Sequence, residues 1–131
     1  MLPTIGEDER ITRYILDRKG KFSRESMTVS YKAFLPAPDG DTSVFRTSAM
    51  SDDDVWLVGR DFVAGPQDRT VYARADISAA SISSTGLTLL PDPEPHYAHA
   101  NISSWPKEKD ERQQLALELA NSSRLQIAPE S

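Results

Sequence analysis

The segment SDDDVWLVGRDFVAGPQDRTVYARADI, residues 51–77, decides the fold class because a helix signal is followed at once by a strand signal. Ser51 followed by three aspartates matches a helix N-terminus, and Gly65-Pro66 is typical of a helix stop. Apolar residues fall on one helical face between them: Val55, Val58 and Phe62. The spacing predicts a core-facing helix over residues 52–64.

The second half of this segment alternates strictly between apolar and polar residues. Four small or branched apolar side chains share one face: Val71, Ala73, Ala75 and Ile77. Tyr72, Arg74 and Asp76 share the other. A period of two is the mark of a β-strand with one face on the core, so residues 71–77 are predicted to form a strand.

Working outward, further strands and one more long helix are expected. The Pro36–Asp41 turn chemistry suggests that residues 27–35 form a half-buried strand paired as a hairpin with residues 43–48. Residues 78–84 suit a short helix or a loop. The other predicted strands cover residues 86–90 and 97–103. Residues 11–16 fit a helix or a strand, with the strand favoured, and residues 124–128 fit a short strand or a packed tail. Pro106 and a stripe of Leu and Ala predict a helix over residues 107–122.

Strands interrupted by two principal helices, about 52–64 and 107–122, predict an α+β fold with a mainly antiparallel sheet. The 131 residues suit a single small domain. Within it, residues 1–8 are expected to be a loose N-terminal segment. The proline-rich stretch at 91–95 is expected to be an ordered internal spacer.

Composition restricts the classes of function. The chain has no cysteine, which excludes thiol chemistry, disulfides and cysteine-ligated metals. Neither a signal peptide nor a long apolar run is recognised, so a soluble, cytoplasmic protein without membrane contact is expected. The net charge of −5 argues against bulk binding of polyanions.

None of the common catalytic motifs occurs: there is no P-loop, GxGxxG, GxSxG, HExxH or EF-hand loop. Asp52, Asp53 and Asp54 are consecutive, so on a helix they point about 100° apart and do not converge on a cation. We therefore expect no metal site and no cofactor.

Polar residues on strand faces are the remaining candidates for chemistry. His99 and Tyr72 are the candidate catalytic residues, since imidazole transfers protons near neutral pH. The candidate anion-binding residues are Arg74, Arg46 and Asn101. These residues meet only if their strands are neighbours. Otherwise His99 is a hydrogen-bonded structural histidine, and Arg74 pairs with Asp76 on an exposed sheet face.

A second candidate surface is the basic stretch at residues 10–32, which carries seven Lys and Arg against two acidic residues. Its cations alternate with aromatic rings, a mixture that suits single-stranded nucleic acid or an acidic protein. Trp105, at a strand-to-helix corner, either anchors a partner or caps the core. The candidate partner-binding residues are Arg13, Arg18, Lys21 and Trp105.

Three functions are compatible with these features. The first is a non-enzymatic interaction module that docks onto a larger protein partner. The second is a metal-independent enzyme acting on a phosphate-containing substrate, RNA or a nucleotide, through His99 and the arginines. The third is nucleic-acid binding through residues 10–32.

Overall fold

The computed structural model describes residue 2 and residues 4–129, which build one six-stranded antiparallel sheet. The strand order is β6-β7-β4-β1-β5-β8, and a separate two-stranded hairpin joins β2 to β3. The strands cover Arg10–Ile15 (β1), Phe22–Ser23 (β2), Thr28–Val29 (β3), Thr42–Arg46 (β4), Ala73–Ser78 (β5), Thr88–Pro91 (β6), His99–Ser103 (β7) and Arg124–Ile127 (β8). The helices cover Asp52–Val58 (α1), Ala79–Ser83 (α2) and Lys109–Ser122 (α3). The expected α+β fold is confirmed.

One face of the sheet, the α3 face, carries the larger core. Ile11 and Ile15 of β1 lie there with Ala73, Ala75 and Ile77 of β5, all buried. Helix α3 covers them with Ala116, Leu119 and Ala120, and α2 adds Ala79 and Ile82. The alternation of Ala73, Ala75 and Ile77 therefore identified the apolar face of β5 correctly. Val71, predicted on the same face, precedes β5 and packs against the core of the opposite face.

The opposite face, the α1 face, carries a smaller core around Tyr14 and Phe45. Their rings meet edge to face, with centroids 5.6 Å apart, and Val55 and Val58 of α1 pack against them. The Tyr14 hydroxyl donates to the carbonyl of Val55 at 2.5 Å. Helices α1 and α3 thus lie on opposite faces of the sheet, which the periodicity alone left open.

The helix that begins at the Ser51 cap changes its winding after Val58. Ser51 accepts a hydrogen bond from the backbone N–H of Asp54, as expected of an N-cap, but residues Gly59–Ala64 form π-helical turns and Gly65–Gln67 a 3₁₀ turn. A π-helix has more residues per turn, so side chains after Gly59 rotate away from the face that precedes it. Phe62, predicted to face the core, is 40% exposed for this reason.

The strand predicted at residues 27–35 is wrong beyond Val29. Met27 adopts a left-handed φ of 53°, and the Ser30 hydroxyl caps a 3₁₀ turn at Tyr31–Ala33. A short polar side chain that bonds to its own backbone competes with the sheet ladder. The predicted hairpin with residues 43–48 is absent as well, since β4 pairs with β1 and β7.

The segment expected to be loose, residues 1–8, lies partly outside the described residues. In the described part, Ile5 packs against the core of the α3 face. The carbonyl of Glu7 accepts a hydrogen bond from the backbone N–H of Ala80 at 3.0 Å. The chain from Ile5 onward is therefore tied to α2.

Candidate functional site

The polar residues expected to share one site are separated by the sheet order. Arg74 on β5 and His99 on β7 both point to the α1 face, but β1 and β4 lie between their strands. Neighbouring strands are about 4.8 Å apart, so these backbones are roughly 14 Å apart. Arg46 is the cross-strand partner of Ile11 and points to the opposite face. Tyr72 precedes β5 and lines a different cleft.

Arg74 is buried and surrounded by groups that hold it in place. Its Nε donates to the carboxylate of Asp76 at 3.2 Å, and its Nη2 donates to that of Asp52 at 3.1 Å. The guanidinium lies over the Trp56 ring, 4.7 Å from the ring centroid. Its Nη1 is buried without a hydrogen-bond partner among the described residues. The pairing of Arg74 with Asp76 is one of the two expectations from the sequence. The sequence predicts the pair on an exposed sheet face, whereas Arg74 is buried.

A cleft of about 520 Å³ opens beside Arg74, between β5, β8 and the start of β1. We call it the arginine cleft, and its charged and amide-bearing lining consists of Asp8, Arg10, Asp52, Arg74, Asp76, Arg124 and Gln126. The Arg10 guanidinium donates hydrogen bonds to the hydroxyl and carbonyl of Thr47 and to the carbonyl of Met50. In the part of the chain that the structure describes, the side chains of Asp8, Arg124 and Gln126 form no hydrogen bond or ion pair, so they can receive a ligand.

His99 is buried, and both of its ring nitrogens are engaged. Its Nδ1 lies 2.9 Å from the carbonyl of Asp92, and its Nε2 lies 2.7 Å from the hydroxyl of Ser43. A carbonyl oxygen only accepts, so Nδ1 carries the proton and Nε2 of the neutral ring accepts from Ser43. Asn101 donates to the Asp92 carboxylate at 3.2 Å. His99 and Asn101 thus form one network with Asp92.

Ser43, His99 and Asp92 resemble a serine–histidine–acid triad only in part, because His99 Nδ1 bonds to the backbone carbonyl of Asp92 and lies 3.7 Å from its carboxylate. Such a triad also needs donors aimed at an oxyanion and a wall that holds the substrate. Ser43 lies exposed on the sheet face, and the side-chain amide of the adjacent Asn101 is already engaged by Asp92. We therefore interpret the Ser43–His99 hydrogen bond as a link between β4 and β7.

The four expected partner-binding residues are divided between the fold and the surface. Arg13 donates to the carbonyls of Ala33 and Ser43, and burial lowers the pKa of its guanidinium. The Trp105 indole donates to the carbonyl of Ile102 and packs against the core. Lys21 forms an ion pair with Asp17 at 2.9 Å. Arg18 is exposed, 5.0 Å above the centroid of the Tyr72 ring.

Arg18 and Tyr72 belong to a second cleft, of about 780 Å³, which we call the Arg18 cleft. Phe22 and Arg24 of the β2–β3 hairpin form its other side. Part of the basic segment therefore does combine cations with aromatic rings on one surface. Asp17, between the two ion-paired cations Lys21 and Arg69, has a pKa below its usual value because of the hydrogen bond from Lys21 and the contact with Arg69.

The π-helical turn creates a third surface, the aromatic patch. Phe62 meets the ring of His96 edge to face at a centroid distance of 4.7 Å, and His96 lies 4.3 Å from the Tyr97 ring. Tyr97 is 56% exposed and Leu57 is 42% exposed. We define the aromatic patch as Met50, Leu57, Phe62, His96 and Tyr97. Sequence reasoning missed it, because Phe62 has core spacing in an α-helix and His96-Tyr97 precede β7 outside any periodic segment.

Two shallow clefts of about 270 and 410 Å³ adjoin this patch and share Ala49, Met50 and Tyr97. Asp54 and Asp61 border the first of them, and Asp8 and Glu9 border the second. Of these four acids, Glu9 is paired with Arg46 and Asp61 with Arg60, whereas Asp54 and Asp8 form no ion pair with a described residue. The rim of the aromatic patch is therefore acidic.

Among residues 2 and 4–129, no group of three or more His, Asp or Glu side chains is placed to hold a metal ion. No helix in the same residues has both the length and the apolar character needed to cross a bilayer.

The chain matches no protein-family model, and no significant match was found among curated proteins or solved structures. A proposal for the function of this protein therefore rests on the geometry of the molecule.

Proposed function

We propose that the protein is a non-enzymatic binding module that docks onto a larger protein partner through the aromatic patch. The observation that carries this proposal is the cluster of the Phe62, His96 and Tyr97 rings at the surface, where Phe62 is 40% and Tyr97 is 56% exposed. Aromatic side chains that remain in water although a core is available are enriched at protein interfaces, where they supply most of the binding energy.

The local backbone supports the same proposal. A regular α-helix would direct Phe62 back toward Tyr14 and Phe45, whereas the π-helical turn from Gly59 directs it toward His96. Single π-turns within helices occur preferentially at functional sites. The departure from regular winding exposes an apolar ring, which costs folding energy and is explained if a partner covers it.

The chemistry of the partner follows from the rim. Asp54 and Asp61 border the apolar cleft, and Asp8 borders its neighbour. A segment with one or two large apolar side chains flanked by Lys or Arg complements this surface in shape and in charge. The lack of cysteine supports the cytoplasm as the compartment in which this binding takes place.

An array of synthetic peptides tests the proposal. Peptides that combine Leu, Phe or Trp with Lys and Arg are compared with versions in which Asp and Glu replace the basic residues. We expect the wild-type protein to bind basic members selectively, and Phe62→Ala and Tyr97→Ala each to weaken binding roughly tenfold or more. Leu117→Ala is the matched control, since Leu117 is 40% exposed on α3.

Two results would contradict the proposal. One is the absence of charge-selective peptide binding by the wild-type protein. The other is an equal loss of affinity in Leu117→Ala and Phe62→Ala, because the effect would then not belong to the aromatic patch.

A second candidate function is binding of single-stranded nucleic acid in the Arg18 cleft. The specific observation in its favour is the placement of Arg18 and Arg24 beside Phe22 and Tyr72, since stacking rings with adjacent cations is how proteins hold single strands. Fluorescence anisotropy with a labelled oligonucleotide should show affinity that falls steeply with salt. Arg18→Gln should weaken binding, and Lys107→Gln, at an exposed position outside this cleft, should not.

The enzyme alternative requires His99 and Arg74 to act on one substrate. With β1 and β4 between their strands, and with both His99 nitrogens engaged, it lacks the shared site on which it depended. We therefore favour the two binding functions over the enzyme alternative.

A further inference from the structure

The arginine cleft contains a buried hydrogen-bond donor that the protein leaves unsatisfied. Arg74 Nη1 has no partner among the described residues, although the same guanidinium donates to Asp76 and Asp52. A buried donor without an acceptor destabilises a fold, so such groups need a specific explanation. A ligand that supplies the missing acceptor is one.

The Asp52 carboxylate is the solvent-exposed member of this arrangement. Its side chain is 77% exposed, whereas those of Arg74 and Asp76 are 4% and 11% exposed. Because the Asp52 carboxylate is largely in solvent and Arg74 keeps Asp76 as its second partner, a carboxylate from solution can displace Asp52 at low cost. The incoming carboxylate then accepts from both Nη2 and the unpaired Nη1 of Arg74. A planar guanidinium binds a carboxylate best in this bidentate arrangement.

The free groups of the cleft supply the remaining recognition. Arg124 and Gln126 on β8 offer further donors for a carboxylate. Asp8 offers a negatively charged acceptor for a cationic group of the ligand. The lining as a whole has three arginines and three aspartates, and is therefore close to neutral. A neutral lining does not favour a dianion such as phosphate, but it suits a ligand that carries one charge of each sign.

We propose that the arginine cleft binds a small zwitterion, a molecule of the amino-acid type with a carboxylate and an ammonium group. The carboxylate is held by Arg74 and Arg124, and the ammonium group is held by Asp8 and the displaced Asp52. The volume of about 520 Å³ is ample for a ligand of this class. This site shares Asp8 with the acidic rim of the aromatic patch but none of the patch residues themselves, so the inference does not depend on the proposed docking function.

Calorimetric titration of the full chain with the standard amino acids, one at a time, tests the site. We expect at least one to bind, and its methyl ester and its N-acetyl derivative not to bind, because each derivative lacks one of the two charges. Arg124→Gln and Asp8→Asn should each weaken binding about tenfold or more, the usual effect of losing a charged hydrogen bond. Arg24→Gln, in the Arg18 cleft, should leave binding unchanged.

Arg124→Gln and Asp8→Asn change side chains that have no partner in the described part of the chain, so the fold is expected to survive both substitutions. Phe62→Ala should bind the amino acid normally, which separates this site from the docking proposal. The inference is overturned if no free amino acid binds, or if the ester or the N-acetyl form binds equally well. It is overturned as well if inorganic phosphate competes, or if Arg124→Gln binds like the wild type.

Discussion

The Nε2 atom of His99 lies 2.7 Å from the hydroxyl oxygen of Ser43, and this hydrogen bond joins β7 to β4 on the α1 face. On its other side the same ring reaches the carbonyl of Asp92, which follows β6. Phe45 lies edge to face against it at a centroid distance of 5.3 Å. His99 therefore connects three segments at one end of the sheet, and its two nitrogens are occupied by the fold.

His99→Ala is accordingly expected to destabilise the protein. The change removes two hydrogen bonds and leaves a cavity beside Phe45, for an expected loss of about 2–3 kcal/mol in the free energy of unfolding. Ser43→Ala should cost about 1 kcal/mol or less, because its hydroxyl is exposed to solvent. Urea denaturation measures both. A His99→Ala variant as stable as the wild type would contradict this structural role.

Single strands and helices could be predicted from the sequence because their signals are local. The cap at Ser51 and the alternation of Ala73, Ala75 and Ile77 both correspond to observed elements. The order of strands is not a local property, since β1 pairs with β5 across some sixty intervening residues. Whether Arg74 and His99 meet depends on that order alone, so their separation could not be read from the sequence.

The aromatic patch and the arginine cleft escaped prediction for two different physical reasons. Phe62 is exposed because the backbone changes winding at Gly59, and its position in the sequence still fits an α-helical core face. The sequence places Arg74 on a polar strand face, but Trp56 and Asp52 of α1 bury it. The first case is a change of helix winding and the second is a tertiary contact of α1 with the sheet, and the local sequence pattern encodes neither.

Gly59 should not tolerate alanine, even though alanine favours helices. A Cβ atom at this position would lie 2.6 Å from two ring carbons of Tyr14, so α1 must move away or the ring must turn. The ring is buried and its hydroxyl is bonded to Val55, which restricts both movements. We expect Gly59→Ala to lower the free energy of unfolding by about 1–3 kcal/mol.

Thermal unfolding of Gly59→Ala and of Gly6→Ala provides the comparison, since a Cβ at Gly6 meets nothing within 4 Å. Equal melting temperatures for the two variants would contradict the close contact between α1 and Tyr14.

The ion pair between Glu9 and Arg46 should matter far more than an exposed pair. Arg46 Nε and Nη2 donate to the two carboxylate oxygens of Glu9 at 2.6 and 3.1 Å, and the Arg46 side chain is almost completely buried. Glu9→Gln removes the charge that compensates Arg46, so we expect a loss of about 3 kcal/mol in the free energy of unfolding. Asp61→Asn breaks the exposed pair with Arg60 and should cost less than about 1 kcal/mol. Urea denaturation measures both variants. Equal losses in the free energy of unfolding would contradict a buried charge at Arg46.

His96 should make the stability of the protein depend on pH. Burial lowers the pKa of its ring below the ordinary value of 6.5, and the nearby His99 lowers it further. In addition, the backbone N–H of Ala98 donates to His96 Nδ1 at 3.0 Å, a bond that the protonated ring cannot accept. The folded protein therefore binds the proton less readily than the unfolded chain, although Asp54 and Asp61 border the same patch.

The direction of the effect follows from this difference. The contribution of His96 to stability is complete above pH 6.5 and is lost progressively as the pH falls toward the lower pKa of the folded state. Urea denaturation over about pH 5 to 8, where imidazole normally titrates, should show this decline in the wild type. His96→Asn cannot titrate, so the difference between wild type and variant isolates the contribution of His96. A difference that does not change with pH, or that grows in favour of the wild type on acidification, would contradict the lowered pKa of His96.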